Sequence, residues 1–175
     1  MQMGLWERYK SFFSGPEIDI ATELAGQLPP GDEVLTHTGV IPSAYERGGG
    51  GGMSAQGRLF NAATSAVQNA VSTSRHVGGD EGSAARRLPQ QAGPHVLVLG
   101  SQSLTVWDLG LTMNQTPAEL LASVPRTEVA AFHDTGTTAQ GGVPVARVSF
   151  HDGSFFDYRL INKPGDEFWS VASTY

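Results

Sequence analysis

The chain has 175 residues, a formal net charge of −6 and no cysteine. That length suits one ordinary core with appendages. The missing thiols exclude disulfide scaffolds, thiolate catalysis, cysteine zinc sites and iron–sulfur clusters, and they fit a reducing compartment. The acidic balance argues against nonspecific nucleic-acid binding, which needs a cationic surface to displace counterions. No apolar run approaches the roughly 18–20 residues that span a bilayer and no secretory h-region opens the sequence, so a soluble cytoplasmic protein is the expectation.

In chain order, Leu5, Trp6, Tyr9, Phe12 and Phe13 fall at i, i+1, i+4, i+7 and i+8, with charged residues opposite, which predicts a short amphipathic helix over 4–13. Pro16, Glu17 and Asp19 suit the first turn of a second helix, which Pro29-Pro30 stops. Residues 33–41 are rich in strand formers and predict a first strand. From 42 to 94 the composition turns to Gly, Ala, Ser and Gln, with five consecutive glycines at 48–52 and a small-residue helical spacing over 55–75. This stretch is the only net-positive one, carrying Arg47, Arg58, Arg75, Arg86 and Arg87.

Beyond Pro94, an apolar run over 96–99, a polar turn and Leu104, Val106 and Trp107 predict a hairpin. Thr116-Pro117-Ala118-Glu119 joins a hydroxyl cap, a first-position proline and a third-position glutamate, which predicts a brief helix over 117–123. Strand patterns resume at 128–132, 145–150 and 155–161, the last two joined by the turn sequence His151-Asp152-Gly153. Phe168, Val171, Ala172 and Tyr175 then mark the apolar face of a closing helix, with Asp166 and Glu167 in its dipole-favoured first turn.

A first strand, a series of antiparallel strands and a closing amphipathic helix resemble the pleckstrin-homology-like barrel and its bacterial and GRAM-type relatives. The segments HVLVLGSQSLTVWDLG, LLASVPRTEVAAF, VARVSFHDGSFFDYRLI and DEFWSVAS carry the resemblance. It implies an α+β fold: an antiparallel barrel or sandwich of six to seven strands with a C-terminal capping helix. An N-terminal helical extension over 1–31 precedes a domain over 32–175, and residues 42–94 form a helical insertion after strand one. Six strands are legible where the family has seven. The family's usual basic residues after the first polar turn are replaced by Ser101, Gln102 and Ser103. The resemblance also implies a noncatalytic binding or adaptor module without a cofactor.

Three functions follow as expectations. The first is binding of another protein or a second copy through Leu5, Trp6, Tyr9, Phe12 and Phe13, the insertion helix or an exposed barrel edge. The second is peripheral contact with an anionic membrane through Arg47, Arg58, Arg75, Arg86 and Arg87, opposed by the acidic remainder of the chain. The third is a homodimeric aspartic-protease-like enzyme using Asp134, because Asp134-Thr135-Gly136-Thr137 matches the motif in which two carboxylates share a proton. Only one copy of that motif is present, and a three-residue match of this kind is ordinary in a β-turn. The five histidines show no helical i, i+4 pairing and no metal-ligand spacing, so no metal site is expected.

Overall fold

In the computed structural model the described residues are 19–24, 26–44, 75–90, 93–108, 118–139, 141–161 and 163–175. The 4–13 helix, most of the insertion and the motif residues Thr116 and Pro117 lie outside them. Asp19 caps α1 (Ile20–Glu23) by accepting from the Thr22 amide and hydroxyl, and the chain leaves that single turn at Leu24. Within the described residues the second expected helix is therefore one turn long.

Eight strands follow: β1 (Val34–Pro42), β2 (Val77–Gly78), β3 (His95–Gly100), β4 (Ser103–Asp108), β5 (Glu119–Pro125), β6 (Val129–Ala139), β7 (Val143–Phe150) and β8 (Phe155–Leu160). The chain closes with α2 (Asp166–Ala172). The sheet order is β5-β4-β3-β1-β8-β7-β6, every pairing is antiparallel, and β2 adds to β8. β1 is the joint. It pairs with β3 from Val34 to Val40 and with β8 from Val40 to Pro42, so one strand belongs to both halves.

Two expectations are corrected. Residues 119–125 form β5 rather than a helix, because pairing along β4 from Ser103 to Asp108 satisfies more backbone groups than two short turns would. Among the described residues the sheet has eight strands, against the six legible in sequence and the six to seven of the expected barrel, and it is open, since β5 and β6 are its two ends and do not pair with each other. The additional strands are β5, read as helix, and β2, which lies inside the 42–94 stretch.

The sheet buries both of its faces over β3, where all six residues are buried. Leu97 and Leu99 point into the main core with Leu104, Val106, Val124, Val148, Phe156 and Leu160. Val96 and Val98 point the other way, where Ile20 of α1, the following residue Leu24 and Trp107 form a second core. A strand buried on both sides reads as a continuous apolar run, which is what HVLVLG shows. The main core is completed by Phe168 and Ala172 of α2 and by Ala84, Ala85 and Leu88 around a 3-10 turn at Ala84–Arg87. Phe132, Phe168 and Trp169 meet edge-on and tilted, with ring centroids 5.1 to 6.0 Å apart.

Candidate functional site

On the face of β7 and β8 away from the main core, Arg147 stands opposite Asp157 in the strand register. Arg147 Nε donates to Oδ1 at 2.7 Å and Nη2 to Oδ2 at 2.9 Å, while His76 Nδ1 lies 3.0 Å from the same Oδ2. Asp157 is 2% exposed, so this carboxylate is withdrawn from water and shared among three nitrogens. Hydrogen bonding to Asp157 raises the Arg147 guanidinium above its ordinary value, against the burial that opposes it. The Phe155 ring lies beneath that guanidinium at 3.8 Å. Chemically the group is saturated: it fastens the returning insertion to the sheet.

Two other carboxylates fasten turns. Asp32 accepts from the amides of Glu33 and Gln102 and the hydroxyls of Ser101 and Ser103, binding the lead-in to β1 onto the β3–β4 turn. Asp152 accepts from the Ala84 amide and from the amide and hydroxyl of Ser154, binding the 3-10 turn to the β7–β8 turn. The hydrogen bond from the Ala84 amide, with those from Ser154, holds the Asp152 carboxyl below its usual value. Tyr175 donates to the carbonyls of Gly100 and Ser103 and lies under Arg126, so the chain end is tied to the same β3–β4 turn.

The two sheet edges differ. β6 is interrupted: Asp134 opposes Ala146 and Thr138 opposes Pro144, leaving a bulge that contains Gly136 at φ +72°. Asp134 Oδ1 accepts from the Gly136 amide at 2.8 Å within that exposed bulge. β5 has no charged residue from Leu120 to Val124, and Leu120 is 41% exposed across from Trp107. The charges flanking it, Glu119 and Arg126, have no ion-pair partner among the described residues.

Of the residues singled out in sequence, Leu5, Trp6, Tyr9, Phe12, Phe13, Arg47 and Arg58 lie outside the described residues. Arg75 is exposed beside His76, Arg86 donates to the Gly79 carbonyl at 3.3 Å, and Arg87 pairs with Glu128. The structure thus places Arg86 and Arg87 on one turn, with the second charge already compensated. Sequence reasoning missed Asp157, Asp32 and Asp152, whose partners come from up to 81 positions away. Ser43 Oγ and Arg159 Nε are buried without a hydrogen bond, but both are sealed from solvent. A shallow cleft of about 640 Å³ runs along Ala21, Leu28, Pro29 and Val34, and its one carboxylate facing the β3–β4 turn, Asp32, is fully engaged.

Among the described residues no group of three or more His, Asp or Glu is placed to hold a metal ion, and no helix is long and apolar enough to cross a membrane. No protein-family model matches the chain, and no match was found among curated proteins or solved structures.

Proposed function

We propose that this chain is a noncatalytic protein-binding or adaptor module of the pleckstrin-homology-like type. The observation that supports it most is the strand order. With β2 set aside, seven strands form two antiparallel meanders, β3–β4–β5 and β6–β7–β8, joined through the first strand and followed by an amphipathic helix. Seven strands and a closing helix are what the resemblance implies. The polar clusters are spent on fastening the fold, whereas an edge strand uncharged from Leu120 to Val124, with Leu120 exposed, is the arrangement that suits a protein partner. The arginine set gives less support to a lipid surface, because Arg87 is neutralised by Glu128.

The test compares capture of a binding partner by the full chain, by a chain lacking residues 1–13 and by a chain with charge added to β5. Loss of capture in either variant supports the reading. Capture unchanged in both, or salt-sensitive cosedimentation with anionic vesicles in place of protein capture, overturns it.

A further inference from the structure

We propose that Arg159 and Ser43 form a binding site for a carboxylate, on the same sheet face as the Arg147–Asp157 pair. The proposal goes beyond the protein-binding reading, since it names a ligand chemistry that a small molecule and the acidic side chain of a partner both present.

Arg147 shows what a guanidinium on this face does when it has a partner: its Nε and Nη2 grip the two oxygens of Asp157 at 2.7 and 2.9 Å. Arg159 lies two positions beyond Asp157 on β8, so its side chain falls on that same face. The register sets it between Val145 of β7 and Ile41 of β1, neither of which offers a polar side chain. In Arg159 the same edge of the fork is unfilled. Its Nε is buried without a hydrogen bond, and its Nη2 reaches the Ser43 carbonyl at 3.4 Å, beyond the usual span of an N–H donor. No carboxylate among the described residues pairs with it.

Ser43 supplies the second observation. The residue is 1% exposed, its amide donates to the Asp157 carbonyl at 2.9 Å, and its hydroxyl is buried without a hydrogen-bond partner. A guanidinium and a hydroxyl thus come together with donors to spare, where burial makes unmet donors costly. Arg159 as a whole is only half-buried, so part of its side chain stays at the surface where a ligand arrives. A carboxylate fits this donor set, because its two oxygens match the planar Nε–Nη2 edge and its remaining lone pairs accept from a hydroxyl. Charge favours carboxylate over phosphate. Arg147 and Asp157 cancel, which leaves Arg159 as the charge to be balanced, and a carboxylate balances it whereas a phosphate dianion overshoots.

Acetate, titrated into the isotope-labelled full chain at constant ionic strength, is expected to shift the Arg159 Nε–H resonance saturably, that resonance being assigned by its loss in Arg159→Lys. N-acetylglutamate α-amide, whose single anion is the side-chain carboxylate, probes the partner source, with N-acetylglutamine α-amide as its neutral control. A shift with acetate alone assigns the site to small carboxylates, and a shift with the blocked glutamate as well assigns it to acidic side chains. Arg159→Lys keeps the charge but not the fork and should weaken acetate binding by roughly tenfold, read from the rise of the thermal midpoint with acetate, and Ser43→Ala should weaken it by roughly threefold. A resonance that stays in place with both carboxylates, or that moves equally with chloride or the blocked glutamine, overturns the proposal, as does unchanged acetate binding in Arg159→Lys. Because free acetate is the first probe, the outcome is independent of whether protein capture succeeds.

Discussion

Arg147 and Asp157 face each other across β7 and β8 in a two-pronged ion pair, with Asp157 buried and His76 sharing the second carboxylate oxygen. The pair ties three parts of the chain that are distant in sequence: the end of the insertion, the β7 strand and the β8 strand.

Arg147→Met leaves a buried carboxylate with His76 as its remaining side-chain partner, and it should lower stability by about 3 kcal/mol. Replacing Asp157 by Leu in the same variant removes the stranded charge and should recover part of that loss. His76→Ala keeps the two-pronged pair and should cost about 1 kcal/mol. Urea unfolding midpoints measure all three, and equal losses in the single and double variants would show that the pair is not what holds β7 to β8.

Burial of Asp32 opposes its ionisation, yet hydrogen bonds from Ser103, Gln102, Ser101 and Glu33 prevail and hold its carboxyl below the ordinary value of 3.8. A depressed folded pKa means that the stabilisation is fully present above the unfolded value and is lost as pH falls through the folded one. Stability should therefore decline below about pH 4. Asp32→Asn should lower stability at neutral pH by about 2 kcal/mol and flatten that acid limb. Thermal unfolding between neutral pH and strong acid checks both effects.

Tyr175 supplies the opposite limb. Burial pushes its hydroxyl well above the ordinary 10.0, and Tyr158, buried throughout, is shifted the same way. A raised folded pKa keeps its stabilisation below the unfolded value and loses it as pH climbs. Tyr175→Phe should cost about 1 kcal/mol at neutral pH through the lost hydrogen bonds to Gly100 and Ser103, and it should soften the alkaline transition above about pH 10.

α1 is one turn long, so its place depends on what Ile20 and Leu24 bury against Val96, Val98 and Trp107. Leu24→Ala should destabilise by roughly 2–4 kcal/mol. Hydrogen exchange should accelerate first in α1 and on the β3–β4 side of the sheet, with β7 and β8 responding less. Uniform acceleration across all strands would show that the second core is not a separable unit.

Gly78 lies against Phe155, and a Cβ built there would sit 2.1 Å from the ring. Gly78→Ala must displace that ring, and with it the surface on which the Arg147 guanidinium rests. A loss of roughly 1–3 kcal/mol is expected, read from denaturant midpoints, whereas Gly153→Ala meets only the backbone penalty of its positive φ.

The hairpin at 96–107, the strands from Val145 to Leu160 and the closing helix were legible because each repeats at its own period over enough residues to show a face. β5 was not, because Thr116-Pro117-Ala118-Glu119 carries a helix-start signal while the alternation of buried Ala122 and Val124 with exposed Ser123 takes effect only beside β4. β2 is two residues long, too short to carry any periodicity. The fastening carboxylates were equally hidden. Asp32 and Asp152 read as turn residues, and Asp157 as the outward member of an alternating strand; nothing local distinguishes a solvated aspartate from one holding four donors.

The sequence by itself therefore determined the strand-rich part of the chain, the apolar faces of its hairpins and the absence of thiol chemistry. Tertiary structure alone decided that β1 joins two meanders, that β3 is covered on both sides, and that β5 and β6 stand at the two ends of the sheet. Periodicity is a property of neighbours along the chain, whereas edges, second faces and shared carboxylates exist only once distant segments have met.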